Sequence, residues 1–347
     1  MITRKTKIPP AKALINGIRS IGYTFPSAVA DIIDNSVTAE SSVINVYSET
    51  EGMNPYFLIC DNGFGMNEFE LENAMTFGSN REGKIDSDTD LGRFGLGLKS
   101  ASLSQCKKFT VISKKENLIH AMEYDVDFIE EKNEWILNVL SNEELFKLPC
   151  VNLLNNLESG TIVLWRNFDK LEGATKNFSK SFRNEIEKTK KYIELVFHRF
   201  YKEIEIFVND IRIDKRDPFL LDSINRQQEG RTTEIEIEGS YINVTPFTLP
   251  FQGTLTDNEK KLLGGSKIYD EQGFYIYRNK RLISWGSWMY MSFKSETFKL
   301  ARVRVDIPST LDKIWHLDVK KTNARIPEFV KERLYSVVSD STIKSKR

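Results

Sequence analysis

Apolar residues recur at helical spacing in two segments near the start of the chain. Residues 10–21 begin with a proline, which a helix tolerates in its first turn. Residues 26–38 also begin with a proline, and they place four apolar side chains on one helical face: Val29, Ile32, Ile33 and Val37. We predict a helix for each segment, and a long amphipathic helix for residues 182–201.

Short runs rich in β-branched and aromatic residues predict strands in both halves of the chain. In the first half these are residues 43–47, 56–60, 109–113, 119–124, 135–140 and 161–165. In the second half they are residues 204–208, 233–237, 274–277 and 301–307. Further helices are predicted at residues 68–75, around residues 98–103 and from about residue 327. Helices mixed with mostly antiparallel strands predict an α+β fold.

Length and charge narrow the class of protein. The chain has 347 residues, enough for two domains, and we place a boundary before the long predicted helix, giving domains 1–176 and 177–347. The chain carries 49 Lys plus Arg and 49 Asp plus Glu, so its formal net charge is zero. Balanced charge argues against an obligate nucleic-acid coat protein, but a chain with zero net charge can still carry a local basic patch.

The sequence shows neither a signal peptide nor an apolar run long enough to span a membrane, so we expect a cytoplasmic protein without a membrane partner. Its three cysteines, Cys60, Cys106 and Cys150, lie far apart and lack second ligands at metal spacing. We therefore expect neither a zinc site nor a disulfide framework. Cys60 ends an apolar run and is predicted to be a buried strand residue.

Asp31 and Asn35 lie four residues apart, so they share one face of the second predicted helix. A carboxylate can orient and deprotonate a water molecule, and a side-chain amide oxygen is a hard ligand that suits magnesium. The pattern is therefore compatible with a catalytic site on this face. The alternative is that Asp34 and Asn35 are simply exposed polar residues.

The segment Asp61-Asn62-Gly63-Phe64-Gly65-Met66 follows a predicted strand and has the composition of a turn. An aspartate at a strand end can accept a hydrogen bond from an exocyclic amine such as that of adenine. Glycines let the backbone approach a planar base without a Cβ clash. An ordinary turn is the alternative, because Asp, Asn and Gly are common in turns.

Glycines also precede a predicted helix in the run Gly92-Arg93-Phe94-Gly95-Leu96-Gly97-Leu98-Lys99-Ser100. Such glycines free successive backbone amides to point at anionic oxygens, and the helix N-terminus adds its positive end. The run is neither a dinucleotide fingerprint nor a P-loop, since it lacks a surrounding βαβ unit and the P-loop spacing. Residues 77–93, which lead into it, are predicted to form a mobile loop.

In this order, the three motifs resemble the signature boxes of the GHKL superfamily: a helix with a carboxylate and an asparagine, Asp-x-Gly-x-Gly, and a glycine-rich lid. Gly160-Thr161, before a predicted strand, resembles a fourth element. The resemblance implies a Bergerat-fold ATPase domain that binds ATP with Mg²⁺. It is strongest to MORC-type ATPases and their prokaryotic relatives, with MutL next. Residues 273–283 are similar to a strand pair of the S5-like transducer domain of those proteins; a basic β-hairpin of no particular ancestry is the alternative.

The resemblance also implies a role for each site residue. Asp31 is the general base, Asn35 the magnesium ligand and Asp61 the reader of adenine. The remaining adenine-side residues are Gly63, Gly65, Met66 and Thr161. The phosphate-side residues are Gly92, Arg93, Phe94, Gly95, Leu96, Gly97, Leu98 and Lys99. For Lys99, a solvent-facing lysine at the helix start is the alternative.

A transducer lysine, either Lys320 or Lys321, is implied to reach the γ-phosphate, where a cation would neutralise charge on the transferred group. Two solvated lysines are the alternative. The sequence also departs from the family at two positions. Asp31 stands where the family has glutamate, which predicts slow hydrolysis, and Thr38 replaces an acidic residue that supports the site.

The function implied is that of an ATP-dependent switch. ATP closes the site and drives homodimerisation, hydrolysis resets the dimer, and the partner is DNA or a DNA-processing complex in repair or in defence against foreign DNA. The alternative is a non-catalytic nucleotide-binding regulatory module. A histidine kinase is disfavoured, because it needs a phospho-acceptor histidine before the nucleotide domain and the three histidines, His120, His198 and His316, do not precede it. A general chaperone is disfavoured because we expect no long client-binding region after the transducer.

Overall fold

The computed structural model of the protein describes residues 9–78, 96–173, 177–223, 228–312, 314–315 and 326–345. It divides into two compact units, which are described separately. Unit 1 comprises Met1–Glu82, Gly92–Lys190 and Ile204–Ile213, and unit 2 comprises Gly83–Leu91, Lys191–Glu203 and Asp214–Arg347. Unit 1 thus extends beyond the boundary that we predicted at residue 176, because residues 205–208 pair with a strand that begins at residue 43.

Unit 1 is built around one eight-stranded sheet. Its strands are β1 (Val43–Glu49), β2 (Tyr56–Asp61), β3 (Lys108–Lys115), β4 (Leu118–Asp125), β5 (Asn138–Val139), β6 (Gly160–Arg166), β7 (Glu205–Val208) and β8 (Ile211–Arg212). They lie in the order β5-β4-β3-β6-β2-β1-β7-β8. Neighbouring strands are antiparallel except β1 and β7, which are parallel. The predicted mixed, mostly antiparallel sheet is confirmed.

The helices of this part of the chain are α1 (Ala11–Arg19), α2 (Phe25–Thr38), α3 (Glu68–Met75), α4 (Gly97–Gln105), α5 (Val126–Lys132), α6 (Asn142–Leu145), α7 (Asp169–Gly173) and α8 (Phe178–Val196). Short 3-10 helices are Val151–Leu154 and His198–Phe200. The predicted helices at residues 10–21, 26–38, 68–75 and 98–103 are confirmed within a few residues. The helix predicted at residues 182–201 starts earlier, as α8, and its last turns are replaced by a 3-10 helix.

One strand prediction in unit 1 is wrong. Residues 135–140 form only the two-residue strand β5, because the chain leaves the sheet at Ser141, whose side chain caps α6 together with Glu144. Helix α5 was not predicted. It begins directly after β4, where the Asp125 carboxylate accepts hydrogen bonds from two backbone amides of the first turn.

The two faces of the unit 1 sheet are covered differently. On one face Phe25 of α2 makes edge-on contacts with Phe57 and Trp165 of the sheet and with Phe182 of α8, at ring-centroid distances of 5.0, 5.6 and 5.8 Å. On the other face, alternate strand residues pack against α6 and the 3-10 helix Val151–Leu154. The long helices therefore share one face of the sheet, and burial of the α2 aromatic ring fixes that helix against β2.

Unit 2 contains a six-stranded sheet. Its strands are β9 (Gln228–Glu229), β10 (Thr233–Ile237), β11 (Ser240–Thr248), β12 (Gly273–Arg278), β13 (Arg281–Ser287) and β14 (Ala301–Ile307). The order is β10-β11-β14-β12-β13, with β9 beside β11, and only β12 and β14 are parallel. The helices are α9 (Asp257–Leu262) and α10 (Glu328–Ser345), and 3-10 helices are Gln252–Thr254, Gly265–Lys267, Glu296–Phe298 and Ser309–Leu311.

The predicted strands at residues 233–237, 274–277 and 301–307 and the last helix are confirmed, as is the α+β class. Strand β11 was not predicted, and it contains Pro246, a residue type that is rare in central strands. The proline is accommodated since β9 pairs only with the two residues beyond it. Apolar residues of α10, among them Val330 and Leu334, pack on this sheet. Within the described residues, no helix combines the length and the apolar character that crossing a membrane requires.

Candidate functional site

The N-terminal turn of α2 is fixed by local capping. The Thr24 side chain accepts a hydrogen bond from the Ser27 backbone N–H, and the Thr24 backbone N–H donates one to the Ser27 side chain. Pro26 occupies the first turn. This start places Asp31 and Asn35 in the middle of the helix. The alternative that the polar residues of this segment are simply exposed is wrong for Asp34, which is 1% exposed.

Asp31 lies where α2 meets the start of α4. Its side chain is buried, and the Tyr23 hydroxyl donates a hydrogen bond to its Oδ2 at 2.8 Å. A Cβ atom on Gly97, the first residue of α4, would lie 3.6 Å from the same oxygen. The structure therefore brings the first motif into contact with the end of the third.

Asn35 is half-buried one turn further along α2. Its Nδ2 atom is buried and has no hydrogen-bond partner among the described residues. A buried amide that the fold leaves unsatisfied costs free energy, and in a native structure such a group points to an ion, a water molecule or a ligand. The unsatisfied Nδ2 is a donor, so it suits an acceptor such as a water molecule or a ligand oxygen.

Asp61 ends β2 and faces α2. It is buried, and its two oxygens accept hydrogen bonds from the Ser36 hydroxyl at 2.7 Å and from the Gly63 backbone N–H at 3.0 Å. Burial raises the pKa of the Asp61 carboxyl, and hydrogen bonds from Ser36, Gly63 and the Thr161 backbone oppose that rise. A carboxylate has about four lone-pair positions, so these contacts leave acceptor capacity for a ligand amine.

The glycines of the second motif pack against protein atoms. A Cβ on Gly63 would lie 2.7 Å from both the Cβ and the carbonyl oxygen of Ala39 at the end of α2. A Cβ on Gly65, whose φ is +63°, would lie 2.0 Å from the Lys114 carbonyl oxygen. The absence of side chains at these glycines therefore lets the turn pack against α2 and β3, and so holds Asp61 in place, while room for a base stays a prediction.

Met66 and Thr161 join this turn through a shared side chain. The Met66 backbone N–H donates to Ser113 Oγ at 2.8 Å, and Ser113 Oγ lies 2.9 Å from Thr161 Oγ1. Thr161 pairs directly with Asp61 across β2 and β6. Three segments distant in sequence thus meet beside Asp61, in agreement with the implied position of the threonine.

Lys99 is buried rather than solvated, so the alternative of a solvent-facing lysine is wrong. Its ammonium donates hydrogen bonds to the carbonyls of Ala74 and Thr76, each at 2.8 Å, and lies 5.5 Å from the centre of the Phe77 ring. These contacts place a cation at the C-terminal end of α3, where it offsets the helix dipole. Lys99 therefore ties α4 to α3, and a contact with phosphate stays a prediction.

The other phosphate-side predictions divide between described and undescribed residues. Leu96 precedes α4 and accepts a hydrogen bond at 2.8 Å from the Ser100 backbone N–H, while Leu98 lies in the first turn. Outside the described residues lie Gly92, Arg93, Phe94, Gly95, Lys320 and Lys321, together with most of the predicted loop at residues 77–93.

The basic hairpin of β12 and β13 in unit 2 turns its arginines inward. Arg278 forms a buried two-point ion pair with Asp312, at 2.8 and 2.9 Å. Arg281 is fully buried, with its guanidinium 5.7 Å from the Phe197 ring centre. These cations stabilise unit 2 from within, so this hairpin does not present them as a basic surface.

The residues whose side-chain hydroxyls donate to Asp31 and Asp61, Tyr23 and Ser36, were not predicted. Tyr23 lies eight residues before Asp31, beyond the reach of any helical spacing rule, and Ser36 looked like an ordinary polar residue beside Asn35. The signal in the sequence for Ser36 is its position directly after Asn35 of the first motif. Tyr23 carried no such signal, because its contact depends on the turn before α2.

Comparison with known proteins agrees with this geometry. The family described as histidine kinase-, DNA gyrase B-, and HSP90-like ATPase matches residues 23–161. The matched segment begins at Tyr23 and ends at Thr161, so it contains all the described site residues and less than half of the chain.

Individual relatives match a similar part. ATPase MORC2B of Mus musculus is 36% identical over 108 residues, and ATPase MORC2 of Homo sapiens is 32% identical over 108 residues. Each of these matches covers 30% of this chain and 10% of the relative. ATPase morc-1 of Caenorhabditis elegans is 26% identical over 150 residues, which is 42% of this chain and 17% of that protein. The chain thus matches only a small fraction of the length of these relatives.

Proposed function

We propose that this chain, which belongs to the superfamily of histidine kinase-, DNA gyrase B- and HSP90-like ATPases, binds ATP with Mg²⁺ and hydrolyses it slowly. One observation carries the proposal: helix α2, which carries Asp31 and Asn35, is joined to Asp61 at the end of β2 by the Ser36 hydrogen bond, within the segment that the family matches. Asp31 also contacts the start of α4, where the glycine-rich run ends.

Each of these residues has a chemical task in the proposal. Asp61 accepts a hydrogen bond from the adenine amine, with its carboxylate held by Ser36 and Gly63. Asp31 orients and deprotonates the attacking water molecule. The backbone amides at the start of α4 face the phosphates, supported by the positive end of the helix. Either Lys320 or Lys321 adds positive charge at the γ-phosphate.

The residues present fit a magnesium ion at Asn35. The Asn35 Nδ2 makes no hydrogen bond within the described residues, and a metal ion would be held by the amide oxygen, not by this nitrogen. The amide oxygen is a hard donor of the kind that Mg²⁺ takes together with phosphate oxygens and water. When bound, the ion neutralises charge on the phosphate groups.

We expect Asn35→Ala to abolish Mg²⁺-dependent ATP binding while the fold persists. Little packing is lost, because the amide is already unsatisfied in the fold. Calorimetric titration of ATP, with Mg²⁺ and with EDTA, measures the effect. Asn62→Ala is unsuitable as a control, because the Asn62 side chain accepts hydrogen bonds that hold the turn before β1. Near wild-type hydrolysis of ATP by Asn35→Ala would show that another residue is the metal ligand.

We further propose that ATP binding drives dimerisation and that unit 2 is an S5-like transducer, which relays the nucleotide state to DNA or to a DNA-processing partner. The β12–β13 strand pair and α10 supply the α+β framework that a transducer needs. The buried hairpin arginines mean that contacts with DNA phosphates must come from other residues. The partner and pathway rest on the relationship to MORC-type ATPases alone.

The protein is expected to be a monomer without nucleotide and a dimer with a non-hydrolysable ATP analogue. Binding energy from the nucleotide can shift this equilibrium only if the dimer binds ATP more tightly than the monomer does. Light scattering at tens of micromolar protein, with and without the analogue, measures the change in mass. A monomer under saturating analogue would contradict the switch and leave the ATP site intact.

A second candidate is a nucleotide-binding regulatory module with little or no turnover. It is favoured by one feature of the chain, the aspartate at position 31 where the family has the longer glutamate. A steady-state assay of phosphate release separates the two candidates. Tight ATP binding without phosphate release identifies the module, whereas release that depends on Asp31 identifies the ATPase.

A further inference from the structure

The hydroxyl of Tyr23 is a hydrogen-bond donor to the proposed general base. It donates to Asp31 Oδ2 at 2.8 Å, a normal length for an O–H···O hydrogen bond. Both side chains are buried, Tyr23 at 9% and Asp31 at 2% exposure. A buried bond to a carboxylate is little screened by solvent, so it strongly restrains the group that accepts it.

The chain around Tyr23 holds its ring in position. Tyr23 immediately precedes Thr24, the residue that caps α2, so its backbone is fixed by the start of that helix. Its carbonyl oxygen also accepts a hydrogen bond at 3.4 Å from the Gln105 side chain at the end of α4. Tyr23 is thus anchored to both of the helices that meet at Asp31.

From this geometry we infer that Tyr23 is a positioning residue for hydrolysis: its hydroxyl fixes the carboxylate plane of Asp31 for attack by water. The inference rests on the proposed function, in which Asp31 is the base. Asp31 is one methylene shorter than the glutamate of the family. A shorter side chain has fewer torsions, so a hydrogen bond to it leaves less conformational freedom.

Fixing the carboxylate raises the fraction of molecules in the reactive geometry. Misplacement of a catalytic group by about 1 Å can cost roughly 100-fold in rate. The Tyr23 hydroxyl contacts Asp31 rather than the nucleotide in this account, so its loss lowers kcat and leaves ATP affinity unchanged. A purely structural hydroxyl would instead change the melting temperature and leave kcat unchanged.

The test is a double-mutant cycle between Tyr23→Phe and Asp31→Asn. We expect Tyr23→Phe to lower kcat by roughly 10- to 100-fold, the scale of a lost hydrogen bond to a charged group, with KM unchanged. In the Asp31→Asn background the same substitution should cause no further loss, because the hydroxyl acts only through the carboxylate. Phosphate release under single-turnover conditions and calorimetric ATP affinity are measured at a temperature below each variant's melting transition.

Tyr47→Phe is the matched control. Tyr47 also donates to a carboxylate in unit 1, that of Asp210 at 2.9 Å, but on β1 and away from the motifs. We expect this variant to keep wild-type kcat. Two outcomes would overturn this inference and leave the proposed function intact. One is a wild-type kcat in Tyr23→Phe, with or without a raised KM, and the other is an equal loss of kcat in both backgrounds. Full turnover in Asp31→Asn would instead overturn the proposed base, and this inference with it.

Discussion

Replacing Asp61 by asparagine should weaken ATP binding by roughly 10- to 100-fold, the effect of losing a hydrogen bond to a charged acceptor. The Gly63 backbone N–H, which donates to Asp61 Oδ1, will select the amide oxygen at that position. The amide nitrogen then takes the position of Oδ2, where the Ser36 hydroxyl can accept from it. The contacts with Gly63 and Ser36 are kept, but an N–H donor now stands where the adenine amine needs an acceptor.

The same variant should not lose stability at neutral pH. Burial raises the pKa of the Asp61 carboxyl above 3.8 in the folded protein. The unfolded chain therefore gives up this proton first as pH rises, and the wild-type free energy of unfolding falls as pH rises from 3.8 through the folded pKa. Asparagine does not titrate, so the melting temperature of Asp61→Asn relative to wild type should increase over that interval.

Calorimetry of ATP binding tests the predicted loss of affinity. Melting curves between pH 4 and pH 7, which extend about three units above the ordinary carboxyl pKa, test the predicted change in stability. Asp210→Asn is the control, since it removes one exposed carboxylate of unit 1 that is hydrogen-bonded to Tyr47. Unchanged ATP affinity in a folded Asp61→Asn protein would exclude Asp61 as the adenine acceptor. A melting temperature that falls relative to wild type with rising pH would show that the buried carboxylate stabilises the fold.

The second large effect is expected at Asp31. Asp31→Asn should bind ATP with Mg²⁺ as the wild type does, because it keeps the shape of a side chain that is 2% exposed and its amide oxygen can still accept from Tyr23. Turnover should fall by roughly 100-fold or more, the usual contribution of a positioned base. Asp31→Glu restores the carboxylate of the family, and we expect it to retain hydrolysis.

Asp34→Asn is the informative comparison for this prediction, because Asp34 is a second buried carboxylate on the same helix. Phosphate release under saturating ATP, together with calorimetric affinity, is measured for both variants. Wild-type turnover in Asp31→Asn with loss in Asp34→Asn would assign the base to Asp34. Loss of ATP binding in Asp31→Asn would mean that Asp31 acts in binding, and the base would need to be sought elsewhere.

Much of unit 1 followed from local sequence patterns. The period of apolar residues in α2 and the continuous apolar run in β2 predicted those elements within a residue or two. The order of the three motifs predicted that Asp31, Asn35 and Asp61 belong to one site. The family match over residues 23–161 agrees with that prediction.

Local patterns failed where a distant contact or a cap decided the outcome. The strand predicted at residues 135–140 was cut short because Ser141 caps α6. Strand β11 was not predicted. Its proline, Pro246, fits into the sheet because β9 pairs only with the two residues after it, a contact between separate strands. The boundary of unit 1 depended on the pairing of β7 with β1, across more than 150 residues.

The sequence by itself determined which residue types the site contains and which elements carry them, because helix spacing, strand ends and glycine runs are local properties. Only the tertiary structure decided what those residues contact. It gave Gly63 and Gly65 a packing role, since Ala39 and Lys114 occupy the space a side chain would need. It buried Lys99 against the end of α3 and brought the Tyr23 hydroxyl to Asp31. Such contacts join residues that no local period relates, and they form only when the helices and the sheet pack together.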